Sequence, residues 1–351
     1  MPRRISGKTW VSIVTIVILV LVIYFSRKEI VHAWQLFQQV NIWILLLIIP
    51  VQFLSYYAAG EMFLSYLRAK KVASTLSALS ATRLSLEMNF VNHILPSGGV
   101  SGASYIVCRL RLFGVSTSRA TTSQLVRLVA MFSTYFIFLI FAVIMMTFDG
   151  ALNRWVVGLS SAMVFGLIGV FIGLLYVLGY KSRFEKLSYW LARAINRTIK
   201  FFTFGRSPRT VQAASLIRFF EDIQEDYFQI RRNKSMLLVP LLWGVVFNMA
   251  EIAMFWLGFL ALGYAINPAP LIIAYGLAGI AGFFMVTPGG AGAYEAIMVS
   301  FLTFAGINPQ TSIAGIVLTR VLLLIGTIAS GYIFYQQAIV KHGSKNTPVQ
   351  R

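Results

Sequence analysis

Residues 281–304 read AGFFMVTPGGAGAYEAIMVSFLTF, an apolar stretch interrupted by Thr287-Pro288-Gly289-Gly290. A similar interruption, Leu95-Pro96-Ser97-Gly98-Gly99, lies in an earlier apolar stretch. Because proline lacks a backbone donor and glycine lacks a side chain, each interruption is predicted to end one helix and open the next. We call these segments the first break (95–99) and the second break (287–290).

The sequence around the two breaks repeats in the same order. Counted from each proline, a lone glutamate precedes at −35 or −37, a glycine and an aliphatic residue follow at +18 and +19, and an arginine follows at +31 or +32. In the first and second copies these positions are Glu61 and Glu251, Gly114-Val115 and Gly306-Ile307, and Arg127 and Arg320. The agreement predicts an internal duplication covering about 42–147 and 237–338.

The composition is that of a membrane protein. Of the 351 residues 58% are hydrophobic and 12% charged, with a mean hydropathy of +0.76, whereas soluble domains have about half and a quarter. Apolar runs begin near residues 9, 42, 123, 155, 236 and 311. They predict one all-α polytopic membrane domain, residues 1–351, with about six full spans and two re-entrant or broken helical hairpins. The first run, Thr9 to Phe25, has no small-residue cleavage site and is interpreted as a transmembrane helix.

The basic residues predict the orientation. With each broken segment returning to its own side, the stretches assigned to the cytoplasm contain 24 Lys and Arg and the outside stretches 3. This bias predicts a cell-membrane protein with both termini in the cytoplasm. The Glu61 and Glu251 helices then run in opposite directions, so the repeats are predicted to be inverted, a common design of secondary transporters. The alternative is that each broken segment crosses twice, giving ten membrane elements instead of eight.

A cytoplasmic insert is predicted at about 181–235. Within 181–200 the apolar residues have helical spacing and basic residues lie between them, which is typical of an interfacial helix on anionic phospholipid. The alternative is a solvated cytoplasmic helix pair, particularly around the acidic residues Glu221, Asp222, Glu225 and Asp226. Because the net charge of +19 comes from residues between spans, no nucleic-acid partner is expected. A homodimer is a further possibility.

The breaks and the charged residues within the spans are the candidate site. Lipid cannot form hydrogen bonds with the exposed backbone N–H and C=O groups, so a break must face protein or a water-filled cavity. The free N–H groups and positive dipole end of the following half-helix would suit phosphate. The candidate residues at the breaks are Pro96, Gly98, Gly99, Pro288, Gly289 and Gly290. The alternative interpretation is that each break only kinks a packed helix.

An arginine at the centre of an inserting helix raises the insertion free energy by roughly 2.5–3.5 kcal/mol. Arg127 and Arg320 are therefore each expected to have a partner or to face water. Arginine binds phosphate bidentately; the alternative for Arg127 is snorkelling to the interface. Glu295 could pair with Arg320 and yield it to a lipid phosphate. It could equally carry a proton, since burial disfavours a charged carboxyl.

Glu61, Glu87 and Glu251 are further membrane acids. Each either contributes to function or packs through hydrogen bonds to Asn89, Asn92 or Asn248.

Several chemistries are not expected from this sequence. No P-loop motif is present, so this chain is not expected to use ATP as its energy source. The single cysteine, Cys108, excludes an intramolecular disulfide, and three scattered histidines indicate no metal site. No cofactor is predicted.

Both motifs, Leu95–Gly99 continuing to Arg109 and Thr287–Glu295 with Arg320 downstream, resemble the lysylphosphatidylglycerol synthase transmembrane region family, also called flippase-like domains. The resemblance covers nearly the whole chain. It implies movement of phospholipid between leaflets, with Pro288, Gly289, Gly290, Glu295 and Arg320 in a central site, and it adds Arg109 to the substrate-binding candidates. Since the chain ends soon after its last span, it resembles the flippase portion without the soluble aminoacyl-transfer domain.

The resulting hypothesis is an ATP-independent flippase or scramblase of phospholipids, including aminoacylated ones, and not an enzyme. The alternatives are a proton-coupled small-solute transporter that uses Glu295 as proton carrier, and a membrane enzyme acting on lipid-linked phosphate or sugar.

Overall fold

A computed structural model describes residues 40–72, 76–95, 100–148, 213–284 and 292–342, with isolated helical positions between 158 and 197. All regular structure in these residues is helical. The predicted spans beginning near 9 and 155 lie outside the continuously described residues, as do both break centres with Pro96, Gly98, Gly99, Pro288, Gly289 and Gly290.

Ten helices are described: α1 (Ile42–Leu46), α2 (Ile48–Ala69), α3 (Ala78–Ile94), α4 (Val100–Arg111), α5 (Thr117–Phe148), α6 (Ala213–Arg232), α7 (Leu238–Ala261), α8 (Pro268–Phe284), α9 (Ala293–Phe304) and α10 (Pro309–His342). A 3₁₀ turn, Lys234–Leu237, precedes α7. Side-chain hydrogen bonds cap the N-termini of two of these helices. Asn41 caps α1 by accepting from the backbone of Trp43, and Ser77 caps α3 by accepting from the backbone of Ser80.

Within the part of the chain that the structure describes, four helical segments are long and apolar enough to cross a membrane: Ile42–Ala69, Thr117–Phe148, Lys234–Ala261 and Pro309–Gln337. They confirm the prediction of an all-α multi-pass membrane protein. The helices beside the breaks are shorter, with 17 residues in α3 and α8 and 12 in α4 and α9. At 1.5 Å per residue, 17 residues reach about 26 Å and 12 reach about 18 Å, less than the roughly 30 Å of the hydrocarbon core. These lengths favour re-entrant hairpins.

The order and length of the helices agree between the two predicted repeats. The first has helices of 22, 17, 12 and 32 residues, and the second 24, 17, 12 and 34. The first helices of the two repeats, α2 and α7, pack antiparallel: Asn41 before α1 bonds to Ala261, and Tyr57 meets Trp243 edge to face. These features support the inverted duplication, which stays a prediction.

The packing between the repeats is reciprocal. Helix α3 of the first packs on the last helix of the second, where Phe90 lies 5.2 Å from Tyr335 between ring centroids. Helix α8 of the second packs on the last helix of the first, where the Tyr135 hydroxyl donates to the carbonyl of Ile272 across 2.8 Å. Each broken hairpin is therefore held against a long helix from the other half of the chain.

The described part of the predicted cytoplasmic insert is α6, together with isolated positions of the predicted interfacial helix. Helix α6 packs against α5, and its Ile223 and Asp226 are buried. The Asp226 carboxylate accepts from Lys70 Nζ at 2.6 Å, and Gln229 also contacts this ammonium group. Of the four acidic residues assigned to a solvated face, Asp226 therefore binds the end of α2, while Asp222 and Glu225 are exposed.

Candidate functional site

Helix α9, the half-helix that follows the second break, is capped at its N-terminus by a glycine and a glutamate. Gly292 has φ of +85°, a conformation that favours glycine, and α9 starts at the next residue. The Gly292 amide donates to Glu295 Oε2 across 2.7 Å. Glu295 thus satisfies a terminal N–H group and places a negative charge at the positive end of the helix.

The other oxygen of Glu295 binds Arg320. The distance from Arg320 Nε to Glu295 Oε1 is 2.8 Å, so the predicted pairing is present. The guanidinium also lies over the Tyr294 ring, 4.2 Å from its centroid. The side chains of Arg320 and Glu295 are 18% and 17% exposed, so the pair is partly accessible instead of sealed in the core. An arginine within span α10 is therefore held by one carboxylate and one aromatic face among its contacts.

Other parts of the fold converge on this pair. Glu251 of α7 interacts electrostatically with Arg320 and accepts a 2.5 Å hydrogen bond from Ser55 of α2. His93, three residues before Pro96, interacts electrostatically with both Arg320 and Glu295. The end of α3 beside the first break therefore lies near the start of α9 beside the second break.

Arg127 lies at a similar depth in its own span but has a different partner. It follows the first residue of α5 by ten residues, and Arg320 follows the first residue of α10 by eleven, which places them roughly 15 and 17 Å along their helices. Arg127 Nε donates to Gln124 Oε1 across 3.2 Å. Among the described residues, no carboxylate forms an ion pair with Arg127.

Arg109 belongs to a separate cluster. The fully buried Glu87 carboxylate accepts from Arg109 Nε at 2.9 Å, from Arg83 Nε at 3.0 Å and from the Tyr105 hydroxyl at 2.8 Å. The Tyr105 ring lies 5.7 Å from that of Tyr335.

The Glu87 cluster is distant from the central pair. Tyr335, which marks the cluster on α10, follows Arg320 by 15 residues, or about 22 Å along the helix. The structure therefore brings Glu295 and Arg320 together but does not bring Arg109 to them.

The two remaining candidate acids have different environments. Glu61 pairs with Arg68 of its own helix through two contacts of 2.7 and 3.0 Å near the end of α2, whereas Glu251 lies beside the Glu295–Arg320 pair. The sequence-equivalent glutamates are therefore not equivalent in their partners.

The predicted asparagine partners for these acids are wrong in the described residues. Asn89 donates to the Ser85 carbonyl, Asn248 donates to Thr134 and nearby carbonyls, and Asn92 accepts from Gly102. The acids bind arginine or serine instead, because a carboxylate within a membrane is best compensated by a cation or a hydroxyl donor.

The prediction of free N–H groups after each break also needs correction. The Gly102 amide in the first turn of α4 donates to Asn92 Oδ1 at 2.8 Å, and the Gly292 amide donates to Glu295. A side chain already occupies one amide at each half-helix start. Sequence reasoning did not assign Tyr294 or His93 to the site, and it considered Asn92 only as a partner of the acids; the signal of all three was a polar or aromatic residue within six residues of a break proline.

Comparisons with known proteins agree with this architecture. The family model of the lysylphosphatidylglycerol synthase TM region matches residues 9–331. A UPF0104 membrane protein of Methanothermobacter thermautotrophicus is 26% identical over 179 residues, which is 51% of this chain and 51% of that protein. The alignment thus spans about half the length of this curated relative. No solved structure matches the chain significantly. The match over most of the sequence identifies this chain as a member of the lysylphosphatidylglycerol synthase transmembrane region family.

Proposed function

We propose that this protein moves phospholipids between the two leaflets without ATP and binds the lipid phosphate at Arg320. The observation that carries the proposal is the partly exposed pair formed by Glu295, at the start of α9, and Arg320, inside span α10. A guanidinium that is bound by a carboxylate can exchange it for a phosphate, because both oxyanions accept from the same N–H donors. Glu295 then retains its bond to the Gly292 amide.

The position of the pair supports a lipid substrate. His93 links it to the first break and Gly292 to the second, so the two broken hairpins converge near one charged point. A headgroup could cross the membrane beside Arg320 while its acyl chains stay in hydrocarbon, where the exposed apolar residues of the spans already lie. Arg127, at a similar depth and without a described ion pair, would provide a second cation along this route.

Transport is tested in liposomes that contain the purified protein and a trace of headgroup-labelled phosphatidylglycerol, with a membrane-impermeant reductant bleaching the outer leaflet. The wild-type protein is expected to expose more than half of the label. Arg320→Ala should slow transport by roughly tenfold or more, since a charge-assisted contact contributes about 1.5–3 kcal/mol. Unchanged transport in Arg320→Ala would exclude the role of this arginine.

Glu295→Gln is a matched comparison, because it is expected to change the affinity for phosphatidylglycerol in the opposite direction to Arg320→Ala. Glutamine can still cap α9 but no longer competes for Arg320 with a negative charge. Binding of phosphatidylglycerol should therefore strengthen in Glu295→Gln and weaken in Arg320→Ala. A loss of binding in both would contradict competition and indicate that the pair only stabilises the fold. Uptake of a small solute with no lipid movement would favour a solute transporter instead.

A further inference from the structure

Glu251 differs from the other candidate acids within the membrane segments. Glu61, Glu87 and Glu295 each bind an arginine within 3.0 Å. Among the described residues, Glu251 accepts only from the Ser55 hydroxyl, and no Lys or Arg there forms an ion pair with it. It lies near the middle of α7, thirteen residues after Leu238. An ionised carboxylate without a cation is costly at this depth, and protonation lowers that cost because it removes the charge.

The groups that face Glu251 include a single described charge. The titratable residues that interact with it are Tyr56 of α2, Tyr275 of α8, Tyr294 of α9 and Arg320 of α10. From α5, Tyr135 interacts with Tyr275 and Tyr294, and α1 contains no titratable side chain. The tyrosines stay neutral near physiological pH, so the charge state of Glu251 depends chiefly on Arg320 and on what Arg320 binds.

We propose that Glu251 is a proton-binding site whose occupancy is coupled to the binding of an anion at Arg320. This proposal rests on the proposed function of Arg320. An anion that reaches Arg320 adds a negative charge beside Glu251 and disfavours its ionised form, so Glu251 takes one proton from water. When the anion leaves, the proton is released. Because coupling between two ligands is reciprocal, a proton on Glu251 also favours the anion.

Glu295 is less suited to this task. Its Oε1 accepts from Arg320 and its Oε2 from the Gly292 amide, so both oxygens are already engaged. Glu251 has one neutral donor and a cation farther away, so it can change protonation without breaking an ion pair. The site therefore assigns the anion to Arg320 and the proton to Glu251.

Infrared spectroscopy of the lipid-reconstituted protein tests the proton directly and does not depend on transport. In vesicles that contain phosphatidylglycerol, at a pH low enough for the proton and the anion to bind together, the carbonyl stretch of a protonated carboxyl should be present in the wild type, shifted in Glu251→Asp and absent in Glu251→Gln. Glu225→Gln is the matched control, because it makes the same change at an exposed acid of α6. A band that persists unchanged in a folded Glu251→Gln protein, or a wild type without the band, would overturn the proposal.

Coupling is tested by calorimetry with dihexanoylphosphatidylglycerol, a soluble phosphodiester that does not itself titrate near neutral pH. If one proton accompanies each anion, its affinity should fall by up to about tenfold per pH unit between the titration midpoints of Glu251 in the free and the anion-bound protein. Glu251→Gln should remove this dependence. Wild-type binding that is independent of pH would refute the coupling and leave the proposed function intact. No binding at any pH would refute the phosphate site, while the infrared band would still report the proton.

Discussion

Asn92 and Gly102 lie on opposite sides of the first break, and the side-chain oxygen of Asn92 accepts a 2.8 Å hydrogen bond from the Gly102 amide. This contact joins α3 to the first turn of α4, where backbone N–H groups lack intrahelical partners. Asn92→Ala should therefore lower the free energy of unfolding by about 1–3 kcal/mol, the cost of leaving such a donor unsatisfied. Thermal unfolding in detergent would measure the loss.

Asn89→Ala is the control for this prediction, because among the described residues the Asn89 side chain bonds only to the Ser85 carbonyl of its own helix and its loss should cost less. Gly102→Ala supplies a second comparison, since a Cβ there would lie 2.4 Å from Asn92 Oδ1 and displace it. The two changes remove one contact, so their effects should not add. Additive losses would show that Asn92 and Gly102 act separately.

Gly60 is required by the crossing of α2 and α3. A Cβ at this position would lie 2.4 Å from the carbonyl oxygen of Ala81, a backbone atom that cannot move without shifting α3. Gly60→Ala should destabilise the protein by roughly 1–3 kcal/mol through overpacking. Gly279→Ala, in α8 with no atom within 4 Å of the added carbon, should be neutral or stabilising. Equal melting temperatures for the two variants would contradict the close approach.

The helices and their order follow from the sequence because hydrophobic length and proline-glycine breaks are local properties. The pairing of Glu295 with Arg320 was also predictable, since both residues lie in a segment that lipid cannot solvate. The different partners of Glu61 and Glu251 were not predictable from the sequence. Their offsets from the break prolines are similar, but the partner of each acid depends on which helix packs beside it.

The same limit explains Arg109. The motif that contains it places it near the first break in sequence, whereas the helical path of α4 carries it nine residues from the start of that helix to Glu87. Arg83 and Glu87 are four residues apart on α3 and are therefore local neighbours, but nothing local indicates that Tyr105 joins them. Such clusters depend on the packing of α3 against α4, which spacing along one chain does not determine.

Glu87 is expected to stabilise the first hairpin strongly. Its carboxylate is fully buried and compensates Arg109, which is 6% exposed. Glu87→Gln leaves a buried cation without a counter-charge and should cost roughly 3–5 kcal/mol of unfolding free energy. Replacing the pair together, with Glu87→Leu and Arg109→Met, should cost less than Glu87→Gln alone because the buried Arg109 charge is removed and the remaining partner, Arg83, is 30% exposed and can be solvated.

Glu61→Gln is the matched comparison in the same assay. Its partner Arg68 is 32% exposed and also donates to the Leu76 carbonyl, so solvent can compensate the arginine. The loss should be smaller than for Glu87→Gln. An equal or larger loss at Glu61 would contradict the assignment of burial as the cause.

Lys70 is expected to hold α6 against the membrane domain. Its side chain and that of Asp226 are 9% and 7% exposed, and their contact is 2.6 Å. Lys70→Met leaves Asp226 buried without a counter-charge, so residues 213–232 should exchange amide hydrogens at least about tenfold faster, corresponding to 1.4 kcal/mol. Hydrogen-exchange mass spectrometry measures this locally. Lys71→Met, at the exposed neighbouring position, should leave the exchange unchanged.

The inverted orientation of the two hairpins can be tested with Cys108, the single cysteine of the chain, which is exposed near the end of α4. If the first hairpin returns to the cytoplasm, a membrane-impermeant maleimide should label Cys108 in inside-out vesicles but not in intact cells. In a Cys108→Ser background, Ala265→Cys occupies the exposed turn between α7 and α8 and should be labelled only from the outside. Labelling of both positions from one side would exclude inverted repeats, because the basic-residue bias assigns the turns to opposite faces.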